Sequence, residues 1–123
     1  MKSKTPKTTN YKRGLWAEYI AALYLILKGY RILKHRYKTP VGEIDRIAEK
    51  GKILVAVEVK LRPSLSSAQE AISRKAQTRI IKTIQWYISQ NSRKQYDTIR
   101  CDVIGIANFS IQHLDNAWQE THT

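Results

Sequence analysis

The residues that most constrain the fold form an apolar run at positions 53–60, Ile-Leu-Val-Ala-Val-Glu-Val-Lys. A run of this length and β-branched content predicts a central strand that is buried on both faces. Two charged residues, Glu58 and Lys60, interrupt it. Burying an ionised group is costly unless the group is paired or binds a metal. The strand therefore indicates a functional site as well as a core element.

A second carboxylate reaches the same place through a short hairpin. Residues 42–48 predict a strand that contains Asp45, and Gly51 suits the tight turn that follows it. With the turn near Gly51, Asp45 is expected roughly opposite residues 56–58, within reach of Glu58.

The alternation of side chains along a strand predicts which residues face the site. In the run 53–60, the even-numbered residues, Glu58 among them, are expected to share one face, and the odd-numbered residues form core on the other. In the preceding strand, Asp45 and Ile47 are expected on one face and Ile44 on the other.

Two acids and a lysine at one point suit metal-assisted cleavage of a phosphodiester. Mg²⁺ or Mn²⁺ prefers hard oxygen ligands, and Asp45, Glu58 and the carbonyl of Val59 could supply three of them. Lys60 is expected to orient the attacking water and to offset charge that develops on phosphorus. Glu18, in the first predicted helix, is either a partly exposed helix-start acid or a residue that helps to place water or a second ion.

The charge balance indicates a polyanionic partner. The 123 residues carry 22 Lys and Arg against 10 Asp and Glu, a net charge of +12, which attracts nucleic acid first and an anionic membrane surface second. Lys75, Arg79 and Lys82 form a basic stripe that is either an ordinary solvated face or a set of phosphate contacts. The apolar segment 20–27 is too short to span a bilayer. A single cysteine, Cys101, predicts a buried reduced thiol and a cytoplasmic protein.

The pattern of elements is helix, three strands, helix, two strands. It predicts a disordered basic arm at residues 1–10 and one domain at residues 11–123. The helices are expected at 11–28 and 68–90, after a loop at 63–67, and the strands at 30–37, 42–48, 53–60, 99–107 and 110–114. The apolar stripe of the first helix is expected at Leu15, Tyr19, Ala22, Leu23, Ile26 and Leu27. This order predicts an α/β fold with a mixed sheet, in which the strands on either side of the long helix run parallel.

The motifs that carry a family resemblance are Gly14-x-x-x-Glu18, Lys28-Gly29-Tyr30, Gly42-Glu43-Ile44-Asp45, Val57-Glu58-Val59-Lys60 followed by Arg62, Lys75, Arg100-x-Asp102-Val103 and His113-x-x-x-Ala117. In order and spacing the chain resembles the YraN-like family of small bacterial proteins, regarded as endonucleases of the restriction-endonuclease-like PD-(D/E)XK superfamily. It is more distantly similar to archaeal Holliday junction resolvases. The resemblance implies a restriction-endonuclease-like mixed β-sheet flanked by α-helices. It also implies a metal site at Asp45 and Glu58, an active-site Lys60 and a supporting Glu18.

The predicted function is hydrolysis of phosphodiester bonds in DNA, including branched or structured DNA, with Mg²⁺ or Mn²⁺. The residues expected to contact nucleic acid are Arg62, Lys75, Arg79 and Lys82. One alternative is a non-enzymatic nucleic-acid-binding protein that keeps the fold, and another is a basic interaction protein of the translation or cell-envelope machinery. A junction-cleaving enzyme needs two sites and hence a homodimer, but the sequence reveals no self-complementary surface.

Overall fold

The computed structural model describes residues 6–62, 72–91, 93–107 and 110–118, with side chains from residue 14 onward. The elements are α1 (Pro6–Leu27), β1 (Arg31–Thr39), β2 (Gly42–Lys50), β3 (Ile53–Leu61), α2 (Arg74–Gln90), β4 (Thr98–Ala107) and β5 (Ser110–Trp118). The predicted order of helices and strands is confirmed. None of the helices in these ranges is long and apolar enough to cross a membrane.

One mixed sheet holds all five strands, in the order β1-β2-β3-β4-β5. The pairing of β3 with β4 is parallel, and the other three pairings are antiparallel. The predicted hairpin between β2 and β3 is confirmed, and its turn contains Gly51 at φ +59°. The predicted parallel pair, joined through α2, is also confirmed. This mixed α/β sheet is the restriction-endonuclease-like architecture that was expected.

The two helices cover opposite faces of the sheet. The α1-side cluster contains Ala17, Ala21, Leu25, Tyr30, Ala48, Val55, Val57, Ile104 and Ile106. The α2-side cluster contains Ile44, Ile47, Leu54, Ala56, Ile72, Ile80, Ile84, Tyr87, Cys101, Val103 and Trp118. Successive residues of β3 alternate between the two clusters, so the prediction of a strand buried on both faces is confirmed. The thiol of Cys101 is buried, as expected.

The buried face of α1 differs from the predicted one. Its buried apolar residues are Ala17, Ala21, Ala22 and Leu25. Four members of the predicted stripe, Tyr19, Leu23, Ile26 and Leu27, are instead exposed. Because the helix is apolar on two sides, periodicity could not identify the inner one. The small alanines allow α1 to lie close against the sheet.

Several bounds also differ from the prediction. The first helix begins at Pro6, so part of the segment predicted as a disordered arm is helical, while residues 1–5 lie outside the described residues. The second helix begins at Arg74 rather than at residue 68, because Ser73 caps it by accepting a 3.1 Å hydrogen bond from the backbone N–H of Ala76. The predicted loop at 63–67 also lies outside the described residues.

The last strand, β5, continues to Trp118 instead of ending at residue 114. Its register with β4 shifts between Cys101 and Val103, and Asn116 has φ +52°. An irregularity of this kind lets a strand resume pairing beyond a polar segment. In the sequence, that segment had predicted the end of the strand.

Candidate metal centre and nucleic-acid interface

The strand β2 leaves the regular sheet pattern at Asp45. On one side, the ladder between β1 and β2 skips Asp45 together with Arg36 of β1. On the other side, the ladder between β2 and β3 ends at the pair of Arg46 and Val57. Arg36 has φ +47°, a left-handed conformation that is uncommon outside glycine. The backbone of Asp45 is therefore available for bonds outside the two ladders.

The same irregularity corrects the predicted alternation of side chains in β2. Ile44 and Ile47 were expected on opposite faces, but both pack in the α2-side cluster. Ala48 packs in the α1-side cluster, so alternation is regular again after Ile47. No residue is inserted in β2 at this point, because the pairs on either side of Asp45 keep one register. The break accompanies the left-handed backbone of Arg36 on the neighbouring strand.

Hydrogen bonds connect Asp45 with the end of β3. The backbone N–H of Val59 donates to Oδ2 of Asp45 at 2.9 Å. The backbone N–H of Asp45 donates to Oε2 of Glu58 at 3.2 Å. The N–H and C=O of one strand residue point toward the same neighbouring strand. By this geometry the carbonyl of Val59 is expected to point to the side on which Asp45 lies, as a third oxygen donor beside the two carboxylates.

The described cations only partly offset the charge of the two carboxylates when both are ionised. Burial, and next the negative charge of Asp45, raise the pKa of Glu58 to about 8. Burial also raises the pKa of Asp45, against the opposing hydrogen bond from Val59. Lys60 lowers both pKa values without reversing either shift. Within the described ranges, neither carboxylate has a salt-bridge partner within 4.0 Å. A divalent cation would supply the missing positive charge.

The carboxylate of Glu18 is bonded to two arginines rather than to the acidic pair. Its two oxygens accept from Nε and Nη2 of Arg36 at 3.0 and 3.2 Å. The buried Arg46 donates Nη1 to Oε1 of Glu18 at 3.4 Å and to the carbonyl of Asp45 at 2.8 Å. The charge of Glu18 contributes to the raised pKa of Asp45. Glu18 therefore lies beside the pair and is linked to it through Arg46.

The donor set of the pair fits a hard cation such as Mg²⁺. Both side chains offer carboxylate oxygens, and the carbonyl of Val59 adds a third hard donor. In the part of the chain that the structure describes, no three His, Cys, Asp or Glu side chains are grouped closely enough to hold a metal ion. The arrangement thus suits a cation that keeps several waters, and it does not suit a closed zinc site.

The basic stripe lies on the helix that packs over the start of β2. Lys75, Arg79 and Lys82 are all exposed on α2. At Gly42, three positions before Asp45, an added Cβ would lie 2.6 Å from Oγ1 of Thr83 and 3.5 Å from the carbonyl oxygen of Arg79. This close approach shows that α2 packs against the start of the strand that carries Asp45.

The fourth predicted contact residue, Arg62, follows the end of β3. Its Nη1 donates to the carbonyl of Leu61 at 2.9 Å, and its backbone N–H donates to the carbonyl of Ile106 at 3.0 Å. The side chain is half-buried, and Arg62 lies two positions after Lys60. It is near the site in the chain, but it is less exposed than the stripe on α2.

Sequence reasoning assigned no role to a buried polar cluster on β4 and β5. The carboxylate of Asp102 is fully buried and accepts from Arg100 at 2.9 and 3.2 Å, from Nε2 of His113 at 2.7 Å and from the backbone N–H of Asn116 at 2.9 Å. Arg100 also donates to the hydroxyl of Tyr30 at 2.6 Å. Burial opposes ionisation, but the bonds from His113 and Arg100 hold the pKa of Asp102 below its usual value. An acid in an apolar strand was the available signal, as it was for Glu58.

Comparison with known proteins matches most of the chain to one family. The model of the "Uncharacterised protein family UPF0102" matches residues 17–106. A UPF0102 protein of Chelativorans sp. (strain BNC1) is 45% identical over 96 residues, which cover 78% of this chain and 77% of that protein. A UPF0102 protein of Sinorhizobium fredii is 42% identical over 122 residues, which cover 96% of this chain and 100% of that protein. These descriptions name no activity.

Proposed function

The chain belongs to the UPF0102, or YraN-like, family, and we propose that it is a metal-dependent endonuclease that hydrolyses phosphodiester bonds in DNA. The observation that carries this proposal is the acidic pair. Asp45 and Glu58 are joined by hydrogen bonds through the strand ends, their pKa values are raised, and no described cation forms a salt bridge with either. Carboxylates held together in this way are favourable only when a cation or a proton neutralises them.

The residues of the pair have distinct roles in the proposed reaction. Asp45 and Glu58 hold Mg²⁺ or Mn²⁺, and the carbonyl of Val59 is a third ligand. A bound ion of this kind polarises a phosphate oxygen and lowers the pKa of a bound water. Lys60 acts electrostatically on both carboxylates, and in the proposed reaction it offers a positive charge to the phosphate and orients the attacking water. Glu18, held by its two arginines, supports the position of Asp45.

DNA is the proposed substrate because its backbone complements the charge of the protein. A net charge of +12 favours a polyanion, and the stripe of Lys75, Arg79 and Lys82 is exposed on the helix that packs against the start of β2. Contacts of this type position the phosphate backbone without reading its sequence. We propose the cytoplasm as the compartment, because the single cysteine is a buried thiol.

A cleavage panel tests the proposal. Duplex, single-stranded, flapped and four-way DNA would be incubated with the protein in Mg²⁺, in Mn²⁺ and in EDTA. We expect metal-dependent cleavage that Asp45→Asn abolishes. Asp115→Asn is the matched control, because Asp115 is exposed on β5 and should leave cleavage unchanged.

A second candidate is a nucleic-acid-binding protein that keeps the fold without turnover. It is favoured by the engagement of Glu18 with Arg36 and Arg46, which leaves two carboxylates for a metal. If the wild type cleaves nothing in the panel but binds DNA with strong salt dependence, this reading replaces the first one. Absence of DNA binding at low salt would contradict both and leave a basic protein with another partner.

A further inference from the structure

The outer face of α1 exposes five large apolar side chains. Trp16, Tyr19, Leu23, Ile26 and Leu27 are 66%, 66%, 58%, 54% and 78% exposed. Four of them follow one another at intervals of three, four and three residues. This is the spacing of the contact positions of two helices packed side by side. The five residues are called the outer face below.

The inner side of the same helix makes the outer face unusual. Toward the sheet, α1 presents Ala17, Ala21 and Leu25, all buried, while the larger aromatic side chains of Trp16 and Tyr19 are exposed on the other side. A helix that is apolar on both sides is normally covered on both sides. The described fold covers only the side that contains Ala17, Ala21 and Leu25.

The size of the outer face matches a protein interface. Because fully exposed aromatic side chains present roughly 150–250 Å² and aliphatic ones less, the five exposed fractions amount to about 600 Å². Single-chain proteins rarely expose a larger apolar patch than about 300–600 Å². Two such faces together would bury about 1,200 Å², which reaches the lower limit of stable interfaces at about 1,200–2,000 Å².

We propose that the outer face of α1 is the interface of a homodimer, in which it packs on the same face of a second copy. A twofold axis makes such an interface self-complementary, because every contact between two residues across the interface occurs twice, once from each copy. With the helices antiparallel, Trp16 of each copy lies toward Leu27 of the other, and Leu23 lies near the axis. The antiparallel arrangement also opposes the helix dipoles favourably.

Charge sets a condition on this association. Glu18 is the one acidic residue of α1, and its carboxylate is already paired with Arg36 and Arg46 of the same copy. It therefore does not offset the positive charge of the second copy. Each copy carries +12, and the copies repel one another until salt screens them. Dimerisation should therefore strengthen as salt rises, whereas binding to DNA weakens. The dimer does not depend on the proposed endonuclease activity.

The test is the mass of the whole chain in solution, measured by sedimentation or light scattering in low salt and in 0.5 M salt. Protein concentrations from about 1 to 100 µM resolve dissociation constants in the same range. We expect twice the 14.3 kDa of one chain, most completely at high salt. Ile26→Glu and Leu23→Glu should each weaken the dimer at least about 100-fold, because the twofold axis buries two new charges. Both changes are at exposed helical positions, so circular dichroism should remain that of the wild type.

Ile99→Glu is the matched control, because Ile99 is 49% exposed on β4 and lies outside the outer face. It should keep the dimer. A wild type that remains monomeric at about 100 µM in high salt overturns the proposal. A dimer that survives in both folded α1 variants also overturns it, since the interface is then elsewhere. A monomer that sediments with anionic phosphatidylglycerol vesicles through Trp16 overturns it in favour of a lipid surface.

Discussion

Replacing Glu58 by Gln should stabilise the metal-free protein at alkaline pH. Burial, followed by the charge of Asp45, raises the pKa of Glu58 from 4.5 to about 8. The folded protein therefore binds this proton more tightly than the unfolded chain does. The contribution of Glu58 to the free energy of unfolding falls as pH rises from about 4.5 to about 8, and above that range the penalty is complete. Gln has no charge to bury, so the variant escapes this loss.

The size of the effect follows from the shift. One pKa unit is worth about 1.4 kcal/mol, so the full shift sets an upper limit of about 5 kcal/mol. Asp45 shares the penalty because the two carboxylates titrate together, and relaxation reduces it further. We expect about 2 kcal/mol at pH 9. For a chain of this size that corresponds to a melting temperature roughly 8 °C higher. The amide oxygen of Gln can still accept the hydrogen bond from the N–H of Asp45.

Thermal unfolding followed by circular dichroism between pH 5 and pH 9 in EDTA measures this difference. The melting temperature of Glu58→Gln should exceed that of the wild type clearly at pH 9, and the difference should shrink toward zero near pH 5. Asp115→Asn is the matched control, because Asp115 is an exposed acid on β5 and is not among the charges that shift the pKa of Glu58. At pH 8, Mg²⁺ should raise the melting temperature of the wild type and leave that of Glu58→Gln nearly unchanged. A gain that is equal at pH 5 and pH 9, or absent at pH 9, would refute the reasoning.

Three further changes test the remaining roles. Asp45→Ala should abolish Mg²⁺ binding in titration calorimetry and should melt above the wild type in EDTA; unchanged binding would exclude Asp45 as a ligand. Changing Lys75, Arg79 and Lys82 to Ala should flatten the slope of log affinity against log salt by roughly one unit per lost phosphate contact, whereas an unchanged slope would make the stripe ordinary solvated surface. Lys60→Ala should keep metal and DNA binding while cleavage, measured by single turnover, falls about 10²- to 10³-fold; cleavage at the wild-type rate would exclude Lys60.

The acidic residues show which parts of the candidate site could be predicted from the sequence. Glu58 stood out because it interrupts an apolar strand, and the same reasoning applies to Asp102 on β4. The sequence could not show that Asp102 is hydrogen-bonded to Arg100 and His113, since these bonds depend on the packing of β5 and on the shifted register of the strands. Glu49 precedes the turn of the hairpin, where a charged residue is ordinarily solvated, yet it is buried and accepts a 2.6 Å bond from the hydroxyl of Tyr96. Which buried acid lacks a partner is decided by tertiary structure.

Local backbone irregularities also limited how much of the structure could be predicted from the sequence. Strand alternation predicted β3 correctly, because that strand is regular and paired on both sides. It failed in β2 between Ile44 and Ile47, where Arg36 on the neighbouring strand adopts a left-handed conformation. Arginine gives no local signal for such a conformation. The ion pair of Arg36 with Glu18, which is remote in sequence, accompanies it.

The parallel pairing of β3 with β4 bears on the route by which the chain folds. Residue 53 pairs with residue 98, so this part of the sheet forms only after a long segment containing α2 has closed. Asp45 and Glu58, by contrast, are on the two arms of one hairpin and meet through local contacts. Their repulsion is mild while the hairpin is solvated and grows when the sheet closes and excludes water. A metal ion captured at the hairpin stage would lower the barrier to that closure, so Mg²⁺ is expected to accelerate refolding as well as to slow unfolding.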